Sequence, residues 1–481
     1  MEPKLVFDYF SQINQVPRPS KHEEKIIAWL EQFAAEKGIS CNKDDAGNLL
    51  YSVPATPGME QKPTIIFQAH MDMVCEKSSD REIDFMNDPI ITYIDGDWMR
   101  AKGTTLGADD GLGIAMALAF ISDPDVEHGP IECLFTVDEE TGLSGAFALQ
   151  PGFMTGKYLI NLDSEDEGEI FIGCAGGANT TIGVPTPLIE LSKKYFPVRI
   201  IIDGLRGGHS GDDINKHRLN ANKALIRFLD EAKHKYDLQL IDIQAGGLHN
   251  AIPRHAEAVV AVPFPDKENL RVDFNIYSSE IEAEFHDEEN MHLTMESEPA
   301  EMCIEPTIAG KLISALMCVH NGVYEMSIDL PGLVETSSNL ASIKLVRDAV
   351  NPENSIVQIV TSQRSSIGTQ RKAMSAIVRA PFELIGATCQ TGEGYPGWKP
   401  NPDSHLLKVA VEEYKKMYNN EPKVKAIHAG LECGLFSEKY PGLDMISVGP
   451  TLRGVHSPDE RLLIPTVKMV YDHIVAILKA I

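Results

Sequence analysis

Two kinds of hydrophobic pattern alternate through the first third of the chain. Thr64 to Ala69 (TIIFQA), Ile131 to Val137 (IECLFTV) and Tyr158 to Leu162 (YLINL) are apolar runs of strand length, as expected for strands covered on both faces of a mainly parallel sheet. Glu23 to Glu36 instead repeats Ile26, Ile27, Leu30, Phe33 and Ala34 at helical spacing, and Gly111 to Ile121 (GLGIAMALAFI) reads as a buried helix. Each strand runs straight into a polar cluster: His70-Met71-Asp72, then Asp138-Glu139-Glu140-Thr141-Gly142, then Asp163-Ser164-Glu165. In open α/β sheets ligand sites form beyond the carboxyl ends of the strands, which places chemistry at these clusters.

After Gly176-Gly177 the texture changes. Strands (Val198 to Ile202, Ala258 to Val262, Ser355 to Thr361) and helices (Asn220 to Lys235, Ile308 to Val319) are separated by acidic, Met-containing stretches. From about Gly392 a helix (Ser404 to Tyr418), a Gly-rich stretch (His428 to Gly434), a strand (Asp444 to Val448), a polar turn (Arg453 to Arg461) and a closing helix follow. The pattern predicts an α/β catalytic domain in two parts, 1–179 and 392–481, interrupted by a large α+β lid and dimerisation domain over 180–391.

Length and charge narrow the function. At 481 residues the chain is long enough for about three folding units and a sizeable core. Its 43 Lys+Arg against 70 Asp+Glu leave a net charge of −27, a field that repels nucleic acid and anionic lipid and attracts cations. The eight cysteines form no C-x-x-C pair, which fits a reducing cytoplasm better than a disulfide framework or thiolate zinc site. The first 25 residues lack the pattern of a signal peptide, and no apolar run reaches the roughly 18 residues of a membrane span. Gly208 to Asp212 (GHSGD) lacks the final Gly of the G-x-S-x-G elbow of serine hydrolases, no P-loop is present, and Gly173 to Gly177 (GCAGG) lacks the G-x-G-x-x-G spacing of a dinucleotide site.

The strand-end groups are His70, Asp72, Asp109, Asp110, Glu139, Glu140 and Asp163, joined near the far end by His456 in VHSPDER. A His and carboxylate set without thiolate suits Zn, Mn or Co, and a shared carboxylate lets two ions pair, as in metal-dependent hydrolases. Asp72, two residues after His70, is placed to hold the unused ring nitrogen of that ligand. Adjacent Glu139 and Glu140 permit one carboxylate to ligate while the other takes a proton from bound water. Each of these groupings also occurs in ordinary turns and solvated helix faces. Their serial placement after apolar strands is what makes them specific.

FQAHMDMV, TTLGADDGLGIAMALA, FTVDEETGLSGA, NLDSEDEGEIFIGCAGG, LRGGHSGDDI and VGPTLRGVHSPDERL, in this order, resemble the M20 family of di-zinc peptidases, and within it the aminoacyl-histidine dipeptidase subgroup. The resemblance covers nearly the whole chain. It implies a dipeptide substrate, Xaa-His dipeptides such as carnosine included, two Zn2+ per subunit with Co2+ or Mn2+ as substitutes, and a homodimer. It implies Asp109 as bridging ligand, His70 and Asp163 completing one metal, Glu140 and His456 the other, Glu139 as general base, Asp72 as the partner of His70, and a cis peptide between Asp109 and Asp110.

Three positions in the insert and two beyond it complete the candidate set. His209 lies in GGHSG, where flanking glycines either present an imidazole or simply form a turn. In relatives the matching His stabilises the oxyanion, from its own chain or from a partner subunit. Asn250 in GGLHNAIPR is a candidate substrate contact, with a turn amide as the alternative. Arg364 in TSQRSSIG is the candidate for the substrate carboxylate, against a surface Arg. His428 and Glu432 in HAGLECG are spaced to line a pocket from one helical face. The rivals to a dipeptidase are a metal-dependent N-deacylase on the same fold and a non-catalytic metal-binding descendant.

Overall fold

The computed structural model describes residues 1–481, which fold as two compact units. Met1–Cys174, Trp398–Ala426 and Leu431–Ile481 form the first, and Ala175–Gly397 with Ile427–Gly430 form the second. The chain thus changes unit at Cys174/Ala175 and Gly397/Trp398, a few residues from the 179/180 and 391/392 boundaries expected from pattern. It also gives the second unit a short later piece containing His428, which the pattern assigns to the catalytic part.

The first unit is built on an eight-stranded sheet in the order Ser40–Lys43, Leu49–Val53, Ile131–Thr136, Ile65–His70, Tyr158–Asn161, Asp444–Ser447, Glu169–Cys174, Lys423–Ile427. The fold is α/β as expected, but the sheet is mixed. The third to sixth strands run parallel, while Ser40–Lys43, Leu49–Val53 and Glu169–Cys174 pair antiparallel. The apolar runs that suggest a parallel sheet belong to the central strands alone: Ile65–His70 and Ile131–Thr136 are buried throughout, whereas Ser40–Lys43 is largely exposed.

The Ala108–Phe120 helix is buried on nearly every side, as its uninterrupted apolar sequence requires. Its end is fixed by aromatic stacking, since Phe120 lies 4.8 Å from the ring of Phe67 and 4.7 Å from that of Tyr471. Its start is irregular, with Asp109 (φ −81°, ψ 108°) and Asp110 (φ −112°, ψ 30°) outside helical geometry and a cis peptide bond between them.

The second unit is α+β. Its nine-stranded sheet runs His292–Ser297, Tyr195–Asp203, Ala256–Pro263, Gln239–Gly246, Val334–Val346, Ile356–Ser365, Gly176–Pro185, Thr388–Thr391, with Gly322–Met326 also paired to Val334–Val346. Alternate residues Val198, Ile200 and Ile202 share one core with Leu225, Phe228, Tyr277, Leu312, Met374 and Phe382. That core buries the apolar faces of helices Ala221–Lys235, Lys267–Glu284, Pro306–Cys318 and Gly368–Glu383. Asn220 starts the first of these by accepting from the N–H groups of Asn222 and Lys223. No helix is long and apolar enough to cross a membrane.

Candidate metal centre

His70 is the last residue of the buried Ile65–His70 strand, and Asp72 lies just beyond it. Asp72 Oδ1 stands 3.3 Å from His70 Nδ1. The Asp72 carboxylate also accepts the N–H groups of Glu139 (3.0 Å) and Glu140 (3.2 Å), so it ties the His70 strand end to the glutamate pair. Burial alone would raise the Asp72 pKa, but His70 and the Glu139 N–H outweigh it and hold the carboxyl at about 2.

Asp109 stands between two imidazoles. Its Oδ1 is 3.0 Å from His70 Nε2, and its Oδ2 is 3.0 Å from His456 Nε2. Asp163 Oδ1 is 3.5 Å from His70 Nε2 on one side, and Glu140 Oε2 is 3.0 Å from His456 Nε2 on the other. The Asp110 carboxylate is engaged by backbone, accepting the N–H groups of His70 and Gly113. Glu139 opens the short helical turn Glu139–Gly142, with its side chain half-buried.

So many carboxylates in so little water oppose one another's ionisation. Burial, with Asp163, Glu432 and Glu140 nearby, pushes Glu139 well above the usual carboxylate range despite the favourable pull of His70. Asp163 is pushed up to about 7 by burial and by Asp109 and Glu140. Ligand atoms of His70, Asp109 and Glu140 lie within 4.8 Å of one another, as do those of His70, Asp110 and Asp163. With imidazole nitrogens and carboxylate oxygens as donors and no thiolate, the centre fits a divalent cation of the Zn, Mn or Co type.

Three charged groups that sequence reasoning overlooked or misplaced hold the centre in shape. Arg18, 1% exposed, donates to the carbonyls of Met71 (3.1 Å), Asp72 (2.9 Å) and Gly107 (2.5 Å). Gly111 leaves room for it, since a Cβ there would lie 2.4 Å from Arg18 Nη2. Glu460, 2% exposed, accepts four successive backbone N–H groups, from Leu106 to Asp109. Glu432 Oε2 accepts from Gln68 Nε2 (2.6 Å) and Thr136 Oγ1 (2.8 Å). Burial, reinforced by Asp163 and Asp72 against the pull of His70, pushes Glu432 up to about 8.

Glu432 ends a belt of buried polar side chains across the four parallel strands. Asn161 Nδ2 donates to Gln68 Oε1 at 2.6 Å, Ser447 Oγ donates to Asn161 Oδ1, and Ser164 and Ser447 hydroxyls lie 2.7 Å apart. Gln68 stands two residues before His70 on one strand, and Asn161 ends the neighbouring strand two residues before Asp163, so the belt fixes the height at which His70 and Asp163 emerge. Polar residues inside otherwise apolar runs were the available signal.

The remaining candidates lie in the second unit. Arg364 is within the strand Ile356–Ser365 rather than on the surface, 6% exposed, with Nη1 donating to Tyr395 Oη at 3.0 Å and Nη2 3.4 Å from His209 Nε2. Its Nε is buried without a partner. His209 Nδ1 is 3.2 Å from Asp212 Oδ2. His428 Nε2 is 2.8 Å from Ser337 Oγ, while its Nδ1 is buried and unpartnered. Burial and the Arg364 charge push His428 down to about 3, so it is neutral. His428 and Glu432 do not share a helix turn as their spacing suggests: the helix Glu432–Lys439 begins after His428, and the two residues belong to different units. Asn250 is exposed, and its backbone carbonyl accepts from the Ser210 N–H at 2.8 Å.

His70 at a strand end and His456 in a turn face the two oxygens of one carboxylate, the arrangement of a candidate metal centre, and known proteins similar to the chain are peptide hydrolases. The match to peptidase family M20/M25/M40 spans residues 66–480, and the chain belongs to that family. It is a peptide hydrolase. It is 39% identical over 483 residues to the cytosol non-specific dipeptidase of Escherichia coli, covering 100% of this chain and 98% of that one. The aminoacylhistidine dipeptidase of Vibrio alginolyticus matches in structure with a TM-score of 0.92 and 40% identity over 100% of this chain and 97% of that one. The aminopeptidase PepT of Bacillus cereus shares the fold, at a TM-score of 0.60 and 19% identity over 99% and 98% of the two chains.

Proposed function

We propose that the chain is an M20-type dipeptidase in which Asp109 bridges two zinc ions, His70 and Asp163 completing one site and His456 and Glu140 the other. The observation that carries this reading is the division of the Asp109 carboxylate, one oxygen toward each imidazole. When bound, such an ion pair would lower the pKa of a shared water and polarise the scissile carbonyl. Glu139 would take the proton from that water and return it to the leaving amine. Asp72 holds His70 in the orientation that presents Nε2 outward.

Residues of the second unit recognise the substrate. Arg364 receives the dipeptide's carboxylate, His209 donates to the developing oxyanion, and neutral His428 and Asn250 line the substrate site. Cobalt or manganese replaces zinc, dipeptides including Xaa-His such as carnosine are the substrates, and a cytoplasmic homodimer is the working form. The resemblance to enzymes named for cytosol non-specific and aminoacylhistidine dipeptidase activity supports these assignments.

The deciding experiment measures hydrolysis of a panel of dipeptides and of N-acetylated amino acids by the zinc-loaded protein. Turnover confined to substrates with a free amine is expected. Preferential cleavage of the acetylated series would replace the dipeptidase reading with N-deacylation.

A further inference from the structure

Glu460 lies four residues beyond His456, at the end of the turn that carries it. That turn is closed on itself: Ser457 Oγ donates to the Gly454 carbonyl at 2.6 Å, and the Glu460 N–H donates to the Ser457 carbonyl at 3.0 Å. His456 leaves it from a left-handed backbone, φ 59°. The strand Arg461–Leu463 then continues into antiparallel pairing with Leu452–Arg453 and Trp98–Ala101.

The Glu460 carboxylate reaches the loop that presents Asp109. Oε2 accepts from Leu106 (2.7 Å) and Gly107 (3.1 Å), and Oε1 from Ala108 (2.9 Å) and Asp109 (3.4 Å). Successive amides form an anion-binding concavity, and a carboxylate can satisfy it with both oxygens because it has no donor of its own. The opposite side of the same loop is held by Arg18, which grips the Gly107 carbonyl together with those of Met71 and Asp72. The two buried charges therefore serve different halves of the centre: Arg18 joins the Asp109 loop to the His70 strand end, and Glu460 joins it to the His456 turn.

We propose that Glu460 is a positioning residue that sets the His456–Asp109 geometry, and through it the affinity of the His456/Glu140 metal site relative to the His70/Asp163 site. The inference rests on the two-metal reading above. A Glu460→Gln substitution puts an amide NH2 against backbone N–H donors, which loosens the His456 turn while Arg18 continues to hold the other half.

The test titrates zinc into the metal-free, full-length protein and reads each binding step separately by calorimetry, with cobalt absorption reporting coordination. Wild type binds two ions. Glu460→Gln is expected to weaken one of the two steps by about 10- to 100-fold, the usual effect of removing a group that orients a ligand, and to leave the other unchanged, whereas equal weakening of both overturns the selective role. Glu460→Asp, which keeps the charge on a shorter arm, serves if the first variant does not fold and is expected to show the same selective loss. Glu132→Gln is the control for general loosening, because Glu132 is also buried and accepts from the N–H groups of Thr155 and Gly156. Both steps unchanged in Glu460→Gln, or an equal loss in Glu132→Gln, overturns the inference. A wild type that binds fewer than two ions overturns the two-metal reading itself.

Discussion

Asp109 Oδ2 and His456 Nε2 lie 3.0 Å apart although 347 positions separate them in the chain. On the proposed two-metal reading one carboxylate serves both half-sites, and removing it should affect both. Asp109→Ala is expected to leave less than one tightly held ion per chain after dialysis, measured by elemental analysis. Retention of two would remove Asp109 from the bridging role.

Glu139→Gln separates proton transfer from metal binding, since the proposed ligands are all other residues. Metal content near that of wild type and a fall in kcat of about 10²- to 10⁴-fold, the usual worth of a general base, are expected. A variant that still turns over dipeptide at a comparable rate excludes Glu139 as the base.

Arg364→Ala removes the charged donor assigned to the substrate's carboxylate. Hydrogen bonds to charged groups contribute about 1.5 to 3 kcal/mol, so KM for dipeptides is expected to rise by about 10- to 100-fold. A dipeptide amide, which lacks the carboxylate, should lose much less. Equal losses for both substrates would give Arg364 a purely structural role.

His428 predicts an acid-limb effect on stability. Its pKa, 6.5 when unperturbed, is pushed down to about 3 by burial, by Arg364 and by His209, with Asp212 opposing. Between those values the unfolded chain binds a proton that the folded chain refuses, so stability falls as pH drops below 6.5, by up to about 1.4 kcal/mol per pH unit. His428→Gln should show a shallower decline of melting temperature from pH 7 to about pH 4. Parallel declines in the two proteins would refute the assignment.

Two glycines should respond oppositely to alanine. A Cβ on Gly449 would lie 1.6 Å from the carbonyl oxygen of Ser164, next to Asp163, so Gly449→Ala is expected to cost about 2 kcal/mol or more. Gly310 is inside the helix Pro306–Cys318, where an added methyl group would meet nothing within 4 Å, and Gly310→Ala should stabilise by about 0.5 to 1 kcal/mol. Thermal melts of both variants decide each case.

His70, Asp109, Glu139, Glu140 and Asp163 could be found in the sequence because each lies beside a buried apolar run, and the end of a parallel strand is where side chains converge. Their neighbours could not. Arg18 sits in an unpatterned VPRPS stretch, and Glu460 follows a turn that reads as solvent-exposed; each finds its partners far along the chain, among backbone groups that leave no trace in composition. The mixed sheet was hidden for a related reason: burial on both faces marks the central strands, while strand direction depends on connections that apolar runs do not encode. Local spacing misled outright at HAGLECG, where four positions suggest a helical turn and the helix starts only at Glu432.

The four residues Ile427–Gly430 make the second unit something other than a transferable cassette. A gene fragment encoding 175–397 would omit His428 and leave the Ser337 hydroxyl without its imidazole partner, and a deletion of the same span would strand those four residues in the remaining chain. Recombination between relatives at the two obvious boundaries would therefore mix His428 from one parent with Arg364 and Ser337 from the other, so functional chimaeras require a third crossover or parents that agree at all three positions.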